Sequence, residues 1–216
     1  MAVVQNPIIG RARGKYGPAI FQTVYQKNIL RSKPLIYRDP ASPAQQLQRA
    51  KFQLATFFIS KNLIPFRIGY ANASPFRSAY SSAMSYFINN SMQLNAGLWS
   101  INFPTVMFSH GSLPGFQDPQ IDFFDTSSLM VSFDDNSGAS GASEEDIGHM
   151  IVFSTQMTQF YYVQTPHVRE AATMLVDFKN WPPEEDAHIY IFATQSTGNQ
   201  ISNSQYLGTA LISTQP

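Results

Sequence analysis

The stretch Asp186-Ala-His-Ile-Tyr-Ile-Phe-Ala193 decides the fold of this chain. Its side chains alternate between two characters, the two-residue period of a β-strand. Further upstream, Ser128-Leu-Met-Val-Ser-Phe133 alternates in the same way. From Gln93 onward the apolar period moves from helical towards strand-like. This predicts strands near 103–109, 120–124, 127–134, 148–156, 159–164, 171–178, 186–195 and 204–213. Short strands at regular spacing with polar turns between them describe a β-sandwich.

Following Pro182-Pro183, the opening stretch reads as the sixth strand of an immunoglobulin/fibronectin-like β-sandwich, with Tyr190 either a tyrosine corner or a plain core or edge tyrosine. Asp134 to Asp146, a Ser/Gly/acid run, reads as a flexible tip between strands. The first hundred residues follow other rules. Residues 1–17 hold Pro7, Gly10, Gly14 and Gly17 among basic residues and read as an extended arm. Ala19 to Tyr25 and Ile29 to Tyr37 are β-rich, and the polar break Gln26-Lys27-Asn28 between them predicts a hairpin. Ser42, Pro43 and Gln45 make a helix start, for a helix from Pro43 to about Leu63 that stops before Pro65. Ser74-Pro75 repeats the signal, for a second helix over about 75–90 with Phe76, Tyr80, Ala83 and Phe87 on one face. The expected fold class is α+β: an N-terminal β-hairpin with two helices, then the immunoglobulin/fibronectin-like β-sandwich. The expected domains are 1–100, basic and helical, and 101–216, acidic and β, with the boundary between Asn90 and Pro119.

Charge divides along the same line. Residues 1–77 hold twelve of the fourteen Lys and Arg and one acid, a formal +11, while residues 78–216 carry −11. A formal net charge of zero therefore hides two opposed halves, which is a statement about partners rather than fold. Charged residues make up only 13% of the chain, and 17 Phe and 10 Tyr accompany them. A surface so poor in charge and rich in aromatics is relieved by partner subunits, or else is simply built from uncharged polar residues. The absence of Cys excludes disulfides and thiolate metal sites. No signal peptide is read at the start, and no apolar run is long enough to span a bilayer.

Catalytic patterns are missing. His110, His149, His167 and His188 share no ligand spacing and read as surface or turn residues. The neighbours Ser109 and His110 lack a supporting acid. Asp134, Asp135, Glu144 and Asp146 offer oxygen ligands but no EF-hand spacing, and a solvated acidic face is the preferred reading. No enzyme activity, metal, cofactor or small-molecule substrate is expected. The strongest constellation is the basic arm and hairpin: Arg11, Arg13, Lys15, Lys27, Arg31, Lys33 and Arg38, with Tyr16, Phe21 and Tyr25 between them. Basic groups with interleaved aromatics suit DNA, since phosphates take the charge and bases stack. The competing reading is docking on an acidic protein surface, which identical copies of this chain supply. On the first helix, Phe52 to Ile59 is apolar almost all round. That suits a central core helix or an oligomer interface, for which Arg49, Lys51, Phe52, Phe57 and Phe58 are the candidates. Trp99 or Trp181 would be the platform if the sandwich bound a sugar.

Several runs carry a resemblance: Asn6-Pro-Ile-Ile-Gly-Arg-Ala-Arg-Gly-Lys-Tyr-Gly17, Asn28-Ile-Leu-Arg-Ser-Lys-Pro34, Pro43-Ala-Gln-Gln-Leu-Gln-Arg-Ala-Lys-Phe52, Gly111-Ser-Leu-Pro-Gly115 and Ser202-Asn-Ser-Gln-Tyr-Leu-Gly208. Together they resemble an uncharacterised family of Bacteroidota genomes and their phages, over nearly the whole length. The resemblance brings no catalytic residues. It implies a structural subunit of a bacteriophage virion, a tail, neck or ring component assembled in the bacterial cytoplasm. Its expected partners are copies of itself and other virion proteins.

Overall fold

The computed structural model describes residues 2–4, 13–24, 27–33, 39, 41–125, 128–139, 141–154, 156, 160–178 and 185–212. The chain divides into two compact units, Met1–Pro43 and Ala44–Pro216.

In the first unit, β1 (Ala2–Val4), β2 (Gly14–Tyr16), β3 (Ala19–Val24) and β4 (Lys27–Ser32) form an antiparallel sheet in the order β1-β4-β3-β2. The predicted hairpin is β3–β4, with Val24 opposite Lys27. Its turn is therefore two residues long and lies outside the described residues, as do Arg11, Tyr25 and Arg38. The stretch expected as an arm contributes β1 and β2 instead. A lone hairpin is marginal in water and leaves unpaired N–H and C=O groups along both edges. Flanking segments that pair there satisfy those groups. Gly17, at φ +54, supplies the left-handed backbone that turns β2 into β3.

The second unit begins with α1 (Pro43–Lys61), α2 (Leu63–Gly69) and α3 (Ala79–Asn90). The first helix ends at Lys61, before Pro65 as expected, and a further short helix follows at once, with Pro65 in its first turn, where the missing N–H has no intrahelical partner to lose. The second predicted helix starts later than expected, because Ser78 rather than Ser74 caps it: Ser81 N donates to Ser78 Oγ at 3.2 Å. Next come the hairpin β5 (Met92–Asn95) and β6 (Leu98–Ile101) and a 3-10 turn at Phe103–Thr105. The strand predicted over 103–109 is therefore not formed. Its alternating apolar residues are real core residues, with Val106 and Phe108 buried, but they lie on an irregular segment.

The remaining elements are β7 (Gln117–Asp125), β8 (Ser128–Asp134), β9 (Ile147–Ser154), β10 (Phe160–Thr165), a short α4 (Val168–Ala171), β11 (Thr173–Asp177), β12 (Glu185–Thr194) and β13 (Gln205–Ile212). They make two antiparallel sheets, β10-β9-β12-β13 and β11-β8-β7. Between the sheets lie Met150 and Val152 of β9 and Ile189 and Ile191 of β12, packed with Leu129, Val131, Met174 and Val176. This is the predicted sandwich.

The alternate residues of β9 and β12 do not face water. Ile151, Phe153, Tyr190 and Phe192 pack against Phe58 and Ile59 of α1, Phe66 of α2, Phe87 of α3 and Phe108. Phe58 stacks on Phe87 at 5.0 Å between centroids and meets Phe153 edge-on at 5.4 Å. Tyr190 is fully buried, and its hydroxyl donates to Phe103 O at 2.6 Å. It is a core tyrosine tied to the 3-10 turn. The second unit thus has three layers: helices, a four-stranded sheet and a three-stranded sheet. This explains why the compact units part near residue 43 rather than near 100. The helices share a core with the sandwich, and their apolar faces are filled by its aromatic side chains.

Phe58 stands at the centre of that second core. Phe58→Ala is expected to lower unfolding free energy by about 3–5 kcal/mol, read from urea denaturation. A change under about 1 kcal/mol would mean that the helical layer does not share the sandwich's cooperative unit.

Candidate functional site

The antiparallel ladder of the first unit sorts its side chains by register, because paired residues share a face. Lys15 pairs with Ile20 and Ile20 with Arg31; Val24 pairs with Lys27; Gln22 pairs with Ile29. Arg13 lies two residues before Lys15. Lys33 lies two beyond Arg31 and continues the ladder, with its N–H donating to Pro18 O at 2.7 Å. Lys15, Lys27, Arg31 and Lys33 therefore belong to one face; Arg13 precedes β2, across Gly14 at φ +120, and all five are exposed. The other face carries Tyr16, Ala19, Phe21, Thr23, Asn28, Leu30 and Ser32. Aromatics and cations interleave in the sequence, but the two-residue period sends them to opposite sides of the sheet. Tyr16, 81% exposed, stands on the side away from the lysines.

Helix α1 has two characters. From Pro43 to Ala50 every residue is exposed, whereas Ala55, Phe58 and Ile59 are buried. Among the interface candidates, Phe58 is a core residue and not a surface one, because it faces the four-stranded sheet. Phe52 and Phe57 remain 46% exposed, and Leu47 is exposed beside them. Lys51 places Nζ 4.5 Å from the Trp99 ring centroid, and Trp99 Nε1 donates to Leu47 O at 2.9 Å. These contacts staple the β5–β6 hairpin to α1 and use the ring that a sugar platform would need. Trp181 lies outside the described residues. Arg49 is exposed on the same helix.

Acids gather at one end of the sandwich. Asp118, Asp134, Asp135, Glu144, Glu145 and Glu170 are exposed around one end of the sandwich. The Ser/Gly/acid segment expected as a loose tip is tied from within. Arg169, fully buried, donates Nε to Asp146 Oδ2 at 2.7 Å and Nη2 to Pro114 O at 2.7 Å, and its Nη1 binds Asn136 Oδ1. Asp146, also fully buried, accepts from Ser143 N at 3.2 Å. It is thus committed to a buried ion pair and does not join the surface carboxylates. Asp135 accepts from Ser137 N at 2.9 Å, which holds its carboxyl below the usual carboxylate range.

The middle and end runs that carry the family resemblance meet here. Gln205 bridges Phe116, accepting from its N–H at 2.8 Å and donating to its carbonyl at 2.9 Å. Ser109 Oγ donates to Ser202 O at 2.7 Å, and Leu113 N donates to Ile201 O at 3.0 Å. A Cβ on Gly111 would lie 2.1 Å from Ile201 O, so the backbones approach to a distance only glycine permits. These runs therefore clasp β13 to the segment before β7. They hold structure together rather than present reactive groups.

Two of the four histidines are core residues rather than surface or turn residues. His149 places Nδ1 2.7 Å from Tyr162 Oη and Nε2 2.8 Å from Thr194 Oγ1, and stacks on Phe192. His188 places Nδ1 2.9 Å from Tyr206 Oη and stacks on Phe103. Burial disfavours the imidazolium, so both pKa values are lowered to about 4. His110 and His167 are exposed.

The model of a family of unknown function, DUF6266, matches residues 11–208. No curated protein matches. Among solved structures, the FN5 domain of Drosophila Lar is similar at 13% identity, covering 48% of this chain and 100% of that one, with a TM-score of 0.34. The fn3 domain of the human collagen alpha-1(XX) chain is 12% identical over 50% of this chain and 94% of its own, at 0.37. A DUF3244 family protein of Bacteroides vulgatus with an immunoglobulin-like β-sandwich is 16% identical over 44% and 94%, at 0.24. Among the described residues no helix is long and apolar enough to cross a membrane.

Both charged arrangements have measurable consequences. The unfolded chain binds protons on His149 below about pH 6.5, whereas the folded chain resists them down to about 4. Stability is therefore fully present above the unfolded value and falls as pH drops. The loss from His149 is about 3 kcal/mol by pH 4. Thermal unfolding between pH 7 and 4.5 should show it, and His149→Gln should flatten the profile. Arg169→Met leaves Asp146 as a buried, unpaired carboxylate and should cost about 3–5 kcal/mol in the same assay.

Proposed function

The chain belongs to the DUF6266 family, and on that premise we propose that it is a structural subunit of a bacteriophage particle, a tail, neck or ring component. It acts through contacts with its own copies and with other virion proteins, and performs no catalysis. One observation carries this reading: the N-terminal basic residues stand together on one sheet face, in a unit separate from the one bearing nearly all the acids. The first unit holds seven basic residues and one acid, and the second seven and thirteen. A molecule so divided is attracted to others of its kind. Exposed Leu47, Phe52 and Phe57 on α1 supply apolar area that such contacts can bury. The phage setting comes from the resemblance that the N-terminal, middle and end runs carry together. On this reading the protein is located in the virion, after assembly in the host cytoplasm.

A nucleic-acid contact uses the same cations. It is weakened by the sorting of side chains: on the basic face Ile20, Val24 and Ile29 stand between the charges, where stacking aromatics would be needed.

Size-exclusion chromatography with light scattering tests the assembly reading. The protein should form multi-copy species at about 50 mM salt that shrink at about 1 M, where screening shortens electrostatic reach to about 3 Å. Phe52→Ser with Phe57→Ser should weaken association while leaving stability within about 1 kcal/mol. A strict monomer at high concentration in both buffers, with no binding to other particle proteins, would refute the proposal.

A further inference from the structure

We infer that the basic face of the β1–β4 sheet of one copy docks, head to tail, on the acidic end of the sandwich of a second copy. This rests on the assembly reading above and names the surfaces it uses. Lys15, Lys27 and Arg31 share the sheet face within a few residue spacings, Lys33 continues it beyond Arg31, and Arg13 lies just before β2. No cation on this face stands directly opposite another, since Ile20 separates Lys15 from Arg31 and Val24 faces Lys27, so the face presents a spread positive surface that an anionic one complements. The first unit offers one acid in all, Asp39.

The acidic end meets that need in three respects. Its exposed carboxylates come from four separate segments: Asp118, Asp134 and Asp135, Glu144 and Glu145, and Glu170. The cation beneath them, Arg169, is fully buried and neutralised by Asp146, so it does not reach the surface. Arg169 also locks the segments that carry the carboxylates, through Pro114 O and Asn136 as well as Asp146. The platform is preorganised, so docking forfeits little ordering entropy. A hollow of about 380 Å³ opens among Ser137, Gly138, Ala142, Ser143, Glu144 and Glu145. It has room for an arginine or lysine head and carries two carboxylates at its edge.

The occupant is a protein surface rather than a nucleic acid. The apolar residues between the cations suit packing on loops, and among the described residues of that face no aromatic offers a base a stacking partner. The two surfaces lie on different units of the chain, so the contact is heterologous. Each docked copy leaves one basic and one acidic face free, and the assembly grows into a ring or an open helix according to the rotation between copies.

Charge exchange between full-length variants tests this. One variant carries Lys15→Glu, Lys27→Glu and Arg31→Glu; the other carries Asp134→Lys, Glu144→Lys and Glu145→Lys. By sedimentation velocity at about 50 mM salt, each alone should lose association at least about tenfold, since like charges then meet at the contact. Mixed at equal concentration they should assemble again, because each still has the wild-type face its partner requires. Regained assembly also establishes that both variants fold. If wild-type protein assembles but the mixture stays monomeric, the proposed surfaces are wrong, and the assembly reading survives on the α1 face. If wild-type protein never assembles, both fail. Retention of wild-type protein on duplex DNA, lost in the first variant and with no assembly in the mixture, assigns the basic face to nucleic acid and overturns the proposal.

Discussion

The pairing of β9 with β12 is the constraint on which the rest of the second unit depends. Both strands are buried on both faces, and the faces differ in kind. Towards the other sheet they present Met150, Val152, Ile189 and Ile191; towards the helices they present Ile151, Phe153, Tyr190 and Phe192. The register, with Ile191 opposite Met150 and Tyr190 opposite Ile151, keeps the bulky rings on one side. A slip of one residue would send aromatics into the narrower space between the sheets and short side chains towards the helices. Close packing penalises both errors, through overfilling on one face and cavities on the other. Shape, rather than a contrast between polar and apolar, therefore fixes this register.

The polar groups trapped by that arrangement are handled at the margins of the aromatic layer. His149 reaches Tyr162 on the neighbouring edge strand and Thr194, and His188 reaches Tyr206 on the opposite edge strand. Tyr190 finds a carbonyl in the 3-10 turn. All but the His149–Thr194 bond, which ties the two central strands to each other, join the central strands to a peripheral element. The clasp between Gln205 and Phe116 does similar work where β13 meets the segment before β7. The runs behind the family resemblance in this part of the chain are accounted for by close backbone approach and by hydrogen bonding.

Charge follows a different logic. Along the chain it divides near residue 77, but in the fold it divides by unit and by face. The basic residues of α1 and α2 belong to the acidic unit, so that unit is itself polar, with cations among its helices and carboxylates at one end of its sandwich. The sheet of the first unit is more sharply sorted, with cations on one face and Tyr16, Phe21 and Leu30 on the other. The molecule thus carries surfaces of opposite sign within a formal net charge of zero.

Alternation over 128–133 and 186–193 was enough to read a sandwich, since period-two patterning records which side chains face a core. The basic arm and hairpin were equally legible, because charge needs no fold to be counted. Other features depended on partners distant in the chain. Phe58 read as core, with an interface as the alternative, since an all-round apolar helix segment does not say what covers it; Phe153 and Phe87 decided for the core. His149 and His188 read as surface or turn groups because the tyrosines that bond them lie 13 and 18 residues away on other strands. Asp146 looked like its acidic neighbours until Arg169, 23 residues on, claimed it. Local pattern determined the elements and their faces. Only tertiary structure decided which face met which, because burial and ion pairing are properties of pairs of segments and no single segment encodes them.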